Sequence, residues 1–131
     1  MTALDTNVLL RFVTWDDEAQ ARRAKQIIDQ ARESGDELFV SDVVLVEMAW
    51  VLARGYRQTR QELLATLRSV LSSKTLCFES FQRLATALTS FEEGRGDFAD
   101  YLIRERAQEA GCKSVVTFDR RLKGQAGFKV V

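Results

Sequence analysis

Short apolar runs alternate with longer amphipathic stretches along this whole chain. The runs are Thr2 to Leu4, Leu38 to Val40, Thr75 to Phe78, Ser114 to Phe118 and Phe128 to Val131, and each reads as a strand. The stretches between the first four runs are long enough to serve as crossovers, which parallel strands need and antiparallel hairpins do not. The alternation therefore predicts an α/β fold with helices packed on a parallel sheet.

Local signals punctuate the helical stretches. Thr6 to Val13 reads as a brief helix, and Asp16 and Asp17 can cap a longer one that runs through Ala19, Ala21, Ala24, Ile27, Ile28 and Ala31 to a stop at Gly35. Ser41 or Asp42 caps an apolar helix from Val43 to about Ala53. Thr59 and Glu62 have the spacing of a capping box that opens the helix through Leu63, Leu67 and Leu71. Phe81–Glu93 and Asp97–Ala110 read as two more helices, separated by Gly94-Arg95-Gly96 and ended by Gly111.

Two absences narrow the chemistry. The chain has no histidine, which excludes Ser–His and Cys–His nucleophile pairs and His-ligated zinc. It has no proline either, and at 131 residues with no linker signal it reads as one domain, residues 1–131. Cys77 and Cys112 match no metal-binding spacing and read as free thiols. No signal peptide or membrane-length apolar run is visible, so a cytoplasmic location is expected. The 19 basic and 19 acidic side chains cancel, so any nucleic-acid contact must come from a local patch.

The acids carry the functional signal. Asp5 and Asp119 each follow an apolar strand directly, at the edge where open parallel sheets bind ligands. Glu47 has Val43, Val44, Trp50 and Val51 three and four positions away, a costly setting for a carboxylate that nothing pairs. Asp97 and Asp100 share a face at the start of a helix; capping explains Asp97 well and Asp100 less well. Carboxylates brought together repel, and oxygen-only donors suit Mg²⁺ or Mn²⁺. Such ions assist hydrolysis of phosphodiesters.

These residues lie in the stretches ALDTNVLLRF, SDVVLVEMAWVL, GDFADYLI and VVTFDRRL. In that order, and from end to end, the chain resembles the PIN-domain nucleases, and within them the VapC-type toxins of toxin–antitoxin pairs. The resemblance implies an α/β/α sandwich with a five-stranded parallel sheet, Mg²⁺-dependent endoribonuclease activity, a homodimer, and silencing by a small antitoxin protein. It places Asp5, Glu47 and Asp100 among the metal-binding acids, with Asp119 as the more variable fourth. Asp97 belongs to the DFAD form of the third motif, as a ligand or as a group that orients one. Thr6, Asn7 and Thr117 stand beside the acids as orienting residues. Arg11, Arg120 and Arg121 are the basic residues closest to the motifs and the candidates for RNA phosphate contact. Leu9, Phe12, Trp15, Trp50, Leu64 and Leu67 form an apolar surplus suited to an antitoxin segment.

Other readings remain on the same residues. An RNA-processing or structure-specific DNA nuclease of this fold would use the same acids, and an idle scaffold of this fold would use none of them. A phosphoacceptor receiver domain needs paired early acids and a mid-chain aspartate on a strand. This chain offers Asp5 alone and a helical Glu47.

Overall fold

Burial along the longest helix follows helical spacing. In the computed structural model, which describes residues 1–131, Ala21, Ala24, Ile28 and Ala31 form one buried stripe along a 17-residue helix. The chain resolves into two compact units, Met1–Glu79 and Ser80–Val131.

The first unit runs β1 (Thr2–Ala3), α1 (Thr6–Thr14), α2 (Glu18–Ser34), β2 (Leu38–Val40), α3 (Asp42–Arg54), α4 (Arg60–Leu71) and β3 (Leu76–Phe78). Its sheet is parallel in the order β1-β2-β3, with Thr2 opposite Leu38 and Leu38 opposite Leu76. Helix α1 stops at Trp15, which adopts a left-handed backbone (φ 56°) and returns its N–H to the Arg11 carbonyl. A non-glycine residue there costs about 1 kcal/mol. Asp17 then caps α2 by accepting from the Gln20 amide at 3.0 Å, and Gly35 ends it in the left-handed conformation. The Thr59–Glu62 capping box forms with both of its hydrogen bonds, at 3.1 and 3.2 Å. Leu9, Leu45, Met48, Leu52 and Leu67 are fully buried.

The second unit holds α5 (Phe81–Glu93), α6 (Phe98–Glu109), β4 (Val115–Thr117), a 3-10 turn (Arg120–Leu122) and β5 (Phe128–Val130). Strands β4 and β5 are parallel, with Val115 opposite Phe128. Phe91 meets Phe98 edge-on at 6.5 Å, and Tyr101 meets Phe128 edge-on at 6.0 Å. The Arg104 guanidinium lies 5.2 Å from the Tyr101 ring centre and 5.7 Å from that of Phe128. Burying Phe98 and Tyr101 contributes roughly 1.5–3 kcal/mol for each such side chain.

The α/β class and the five parallel strands agree with the sequence reading. The single five-stranded sheet does not: the strands hydrogen-bond as three in the first unit and two in the second. Strands of two or three residues form few ladder bonds and carry too short a pattern to fix one continuous sheet from sequence. No helix is long and apolar enough to cross a membrane.

Candidate functional site

In the first unit the candidate residues gather where β1 gives way to α1. Asp5 occupies the N-cap position of α1 with extended backbone, yet its side chain makes no capping hydrogen bond. The ordinary structural task of an aspartate at this position is therefore left undone. Thr6 is buried, and its hydroxyl donates to Glu47 Oε2 at 3.0 Å, joining the start of α1 to α3. Asn7 is exposed and lines a groove of about 210 Å³ between α1 and α2 together with Arg11 and Arg23.

Glu47 itself corrects the sequence argument. Its neighbours Val43 and Trp50 are 72% and 64% exposed, and Glu47 is exposed with them. Helix α3 buries the opposite face, through Leu45, Met48, Ala49 and Leu52. Val44 and Val51 are half-buried, so the apolar residues three and four positions from Glu47 line a partly open face, and Glu47 is not a carboxylate forced into a core. What distinguishes it is the bond from Thr6.

Arg11 is engaged locally. Its guanidinium reaches Gln20 at 2.7 Å, Asp16 at 3.1 Å and the Tyr56 hydroxyl at 3.3 Å. The Tyr56 hydroxyl also donates to Asp16, and chiefly this bond holds the Asp16 carboxyl below its usual range. Of the apolar surplus, Trp15 and Trp50 are exposed, Phe12 and Leu64 are half-buried, and Leu9 and Leu67 belong to the core. The last two are unavailable to a partner because they pack the interior of the first unit.

In the second unit Asp97 opens α6, and its amide donates to Asp100 Oδ2 at 2.8 Å. Asp100 therefore does serve a capping role, contrary to the sequence reading, because a carboxylate at the third helical position reaches back to the first free amide. Asp119 ends the segment after β4, and its amide donates to Thr117 Oγ1 at 3.0 Å, which fixes the backbone beneath the carboxylate. Arg121 then bridges two of the acids. Its guanidinium lies 2.6 Å from Asp119 Oδ2 and 3.3 Å from Asp97 Oδ2.

The charges show how crowded this arrangement is. Burial raises the Asp100 carboxyl above its usual range, and the charges of Asp97 and Asp119 raise it further. The Arg121 guanidinium beside Asp119 holds that carboxyl below its usual range, and Arg121 is itself held more firmly protonated by the two acids. Arg120 is exposed beside them. Nothing in the sequence flags the bridging role of Arg121 beyond its nearness to Asp119.

This donor chemistry fits a hard divalent cation. All the groups are carboxylate oxygens, and their mutual repulsion is the condition that a cation relieves. A guanidinium already performs that task between Asp97 and Asp119. No three ligating side chains converge closely enough to hold an ion as the chain stands.

Comparison with known proteins adds what geometry alone does not. The family model described as PIN domain matches residues 2–127. The chain is also 30% identical to a VapC ribonuclease of Aquifex aeolicus (strain VF5), over 131 residues that cover 100% of this chain and 96% of that protein. With a match that takes in every acid described above, the chain belongs to the PIN domain family.

Proposed function

We propose that this protein is a Mg²⁺- or Mn²⁺-dependent endoribonuclease and the toxin of a toxin–antitoxin pair. The observation that carries the reading is the full-length similarity to a VapC ribonuclease, with Asp5, Glu47, Asp100 and Asp119 standing in the four motifs. In this reading those four acids hold the metal, with Asp97 beside Asp100 as a fifth oxygen donor or as the group that orients it. An ion held there would supply Lewis acidity for activating water and for stabilising the charge that builds on phosphate oxygens.

The chain's own residues prepare that chemistry. Thr6 fixes one oxygen of Glu47, and Thr117 sets the backbone that carries Asp119. Asn7 offers an exposed amide next to this pair of residues at the start of α1. Arg11, Arg120 and Arg121 neutralise phosphates of the RNA, which orient the strand without reading its sequence. For Arg121 this requires exchanging a carboxylate for a phosphate, two partners of the same charge and similar geometry. Hydrolysis forms a bond between the water oxygen and phosphorus and breaks the bridging phosphorus–oxygen bond.

The biological setting that goes with this reading is a cytoplasmic homodimer kept silent by a small antitoxin. Trp15 and Trp50 are the exposed aromatic anchors for such a partner. The test is direct. Purified protein should cleave RNA with Mg²⁺ or Mn²⁺ and stop when the ion is chelated. Expression alone should arrest growth, and co-expression with the cognate small protein should restore it. Cleavage without growth arrest would retain the ribonuclease and remove the toxin role; folded protein that cleaves no RNA with either ion would overturn both.

A further inference from the structure

Tyr101 follows Asp100 in α6 and is 1% exposed. Its ring packs edge-on against Phe128 and lies under the Arg104 guanidinium, a role that phenylalanine would fill as well. The hydroxyl is the part that needs explaining, because a buried hydroxyl is costly unless it is bonded. It is bonded twice. The Gly96 amide donates to it at 2.9 Å, and it donates in turn to Gln125 Oε1. Gln125 Nε2 then donates to the Arg121 carbonyl at 3.1 Å.

Both bonds end on segments that carry acids. Gly96 directly precedes Asp97, whose own amide is held by Asp100. Arg121 lies two residues after Asp119 and is bonded to its carboxylate. One oxygen atom thus ties the turn before Asp97, the helix bearing Asp100 and the turn after Asp119. The glycines around it fit the same purpose. A methyl group at Gly94 would overlap the Tyr101 hydroxyl, and one at Gly96 would lie 2.5 Å from Leu122 Cδ2 and 3.2 Å from that hydroxyl.

We infer that Tyr101, acting through Gln125, is a positioning residue that holds Asp97, Asp100 and Asp119 in register for metal binding. It touches neither metal nor RNA. The inference rests on the reading of these acids as a metal centre. Groups that orient metal ligands typically change affinity by about 10–100-fold when removed, and Tyr101 acts on three acids at once.

The experiment compares Tyr101→Phe, Gln125→Met and Phe128→Leu with the wild-type chain. Mn²⁺ affinity is measured by calorimetry, and RNA cleavage is resolved into kcat and KM. Amide exchange at Gly96 reports the hydroxyl bond, and thermal unfolding reports stability. Tyr101→Phe should weaken Mn²⁺ binding about 10-fold, lower kcat with little change in KM, and speed exchange at Gly96. Gln125→Met should repeat the loss of affinity. Phe128→Leu loosens the same packing without touching the hydroxyl, and should lower the unfolding temperature while keeping Mn²⁺ affinity. If Tyr101→Phe binds Mn²⁺ and turns over like a wild type that does both, the inference is wrong. It is equally wrong if Phe128→Leu loses affinity as fully as Tyr101→Phe, because packing alone would then explain the effect. A wild-type chain that neither binds Mn²⁺ nor cleaves RNA overturns the metal-centre reading, and the inference with it.

Discussion

Thr6 donates its hydroxyl hydrogen to Glu47 across 41 residues of chain. The threonine is 3% exposed and the glutamate is exposed, so a buried group holds one at the surface. The hydroxyl fixes one carboxylate oxygen and leaves the other for a different partner.

Thr6→Val and Glu47→Gln separate these two roles. Thr6→Val keeps the shape and removes the bond, and should weaken Mn²⁺ binding by roughly 10-fold. Glu47→Gln removes the charge and should weaken it more. Calorimetric titration of both variants checks the order; unchanged affinity in Glu47→Gln would leave Glu47 as a surface residue that happens to meet Thr6.

Asp5→Asn should abolish metal-dependent cleavage and leave the fold intact, since its side chain makes no helix-capping bond to lose. Circular dichroism and thermal unfolding of the variant should match the wild type within a few degrees. Cleavage at the wild-type rate would remove Asp5 from the centre.

Asp100→Asn has a sign that follows from crowding. The folded carboxyl is raised above its ordinary value by burial and by its acidic neighbours, so its ionised form opposes folding once the pH exceeds the carboxylate range. Without divalent metal, the variant should be at least as heat-stable as wild type near neutral pH, and the difference should vanish in acid. Its amide oxygen can still accept from Asp97, which preserves the start of α6. A variant markedly less stable than wild type at neutral pH would show that the hydrogen bond outweighs the repulsion.

Arg121→Gln should act in the opposite direction at Asp119. The guanidinium lowers that carboxyl, so the pair stabilises the fold above the ordinary carboxylate value and the contribution is lost as the pH falls through the folded value. The variant should show less of this acid loss, bind Mn²⁺ more tightly for want of a competing cation, and cleave RNA more slowly. Salt should weaken the wild-type pair, because Arg121 is exposed to water and Asp119 only half-buried. Unchanged Mn²⁺ affinity would mean that the guanidinium and the metal do not compete.

Much of the local structure was legible in advance because its causes are local. The Thr59–Glu62 box and the Gly35 stop each depend on a few adjacent residues, and both formed as their spacing requires. Which face of a helix meets the core is not local. The apolar neighbours of Glu47 pointed to burial, whereas α3 buries the face of Leu45, Met48 and Leu52 and leaves Val43 and Trp50 outside. Leu9 and Leu67, apolar residues that spacing leaves free for a partner, are core for the same reason. The bridge from Arg121 to Asp97 spans 24 residues, and no spacing rule encodes where a side chain on a short turn will point. Strands of two or three residues likewise carry too little pattern to declare their partners.

The turn Gly94-Arg95-Gly96 should leave its mark on which sequences this fold can accept. Its outer positions are short of room for a methyl group: Tyr101, Gln125 and the Ser90 carbonyl crowd position 94, and Leu122 crowds position 96. Its middle position is exposed, and the Arg95 guanidinium there donates to the Lys123 carbonyl at 3.0 Å. In a library that samples all three codons, survivors should therefore vary freely at position 95 and return to glycine at 94 and 96. The permissive codon would be flanked by two fixed ones, held by the space around the Tyr101 hydroxyl at one and around the Leu122 side chain at the other.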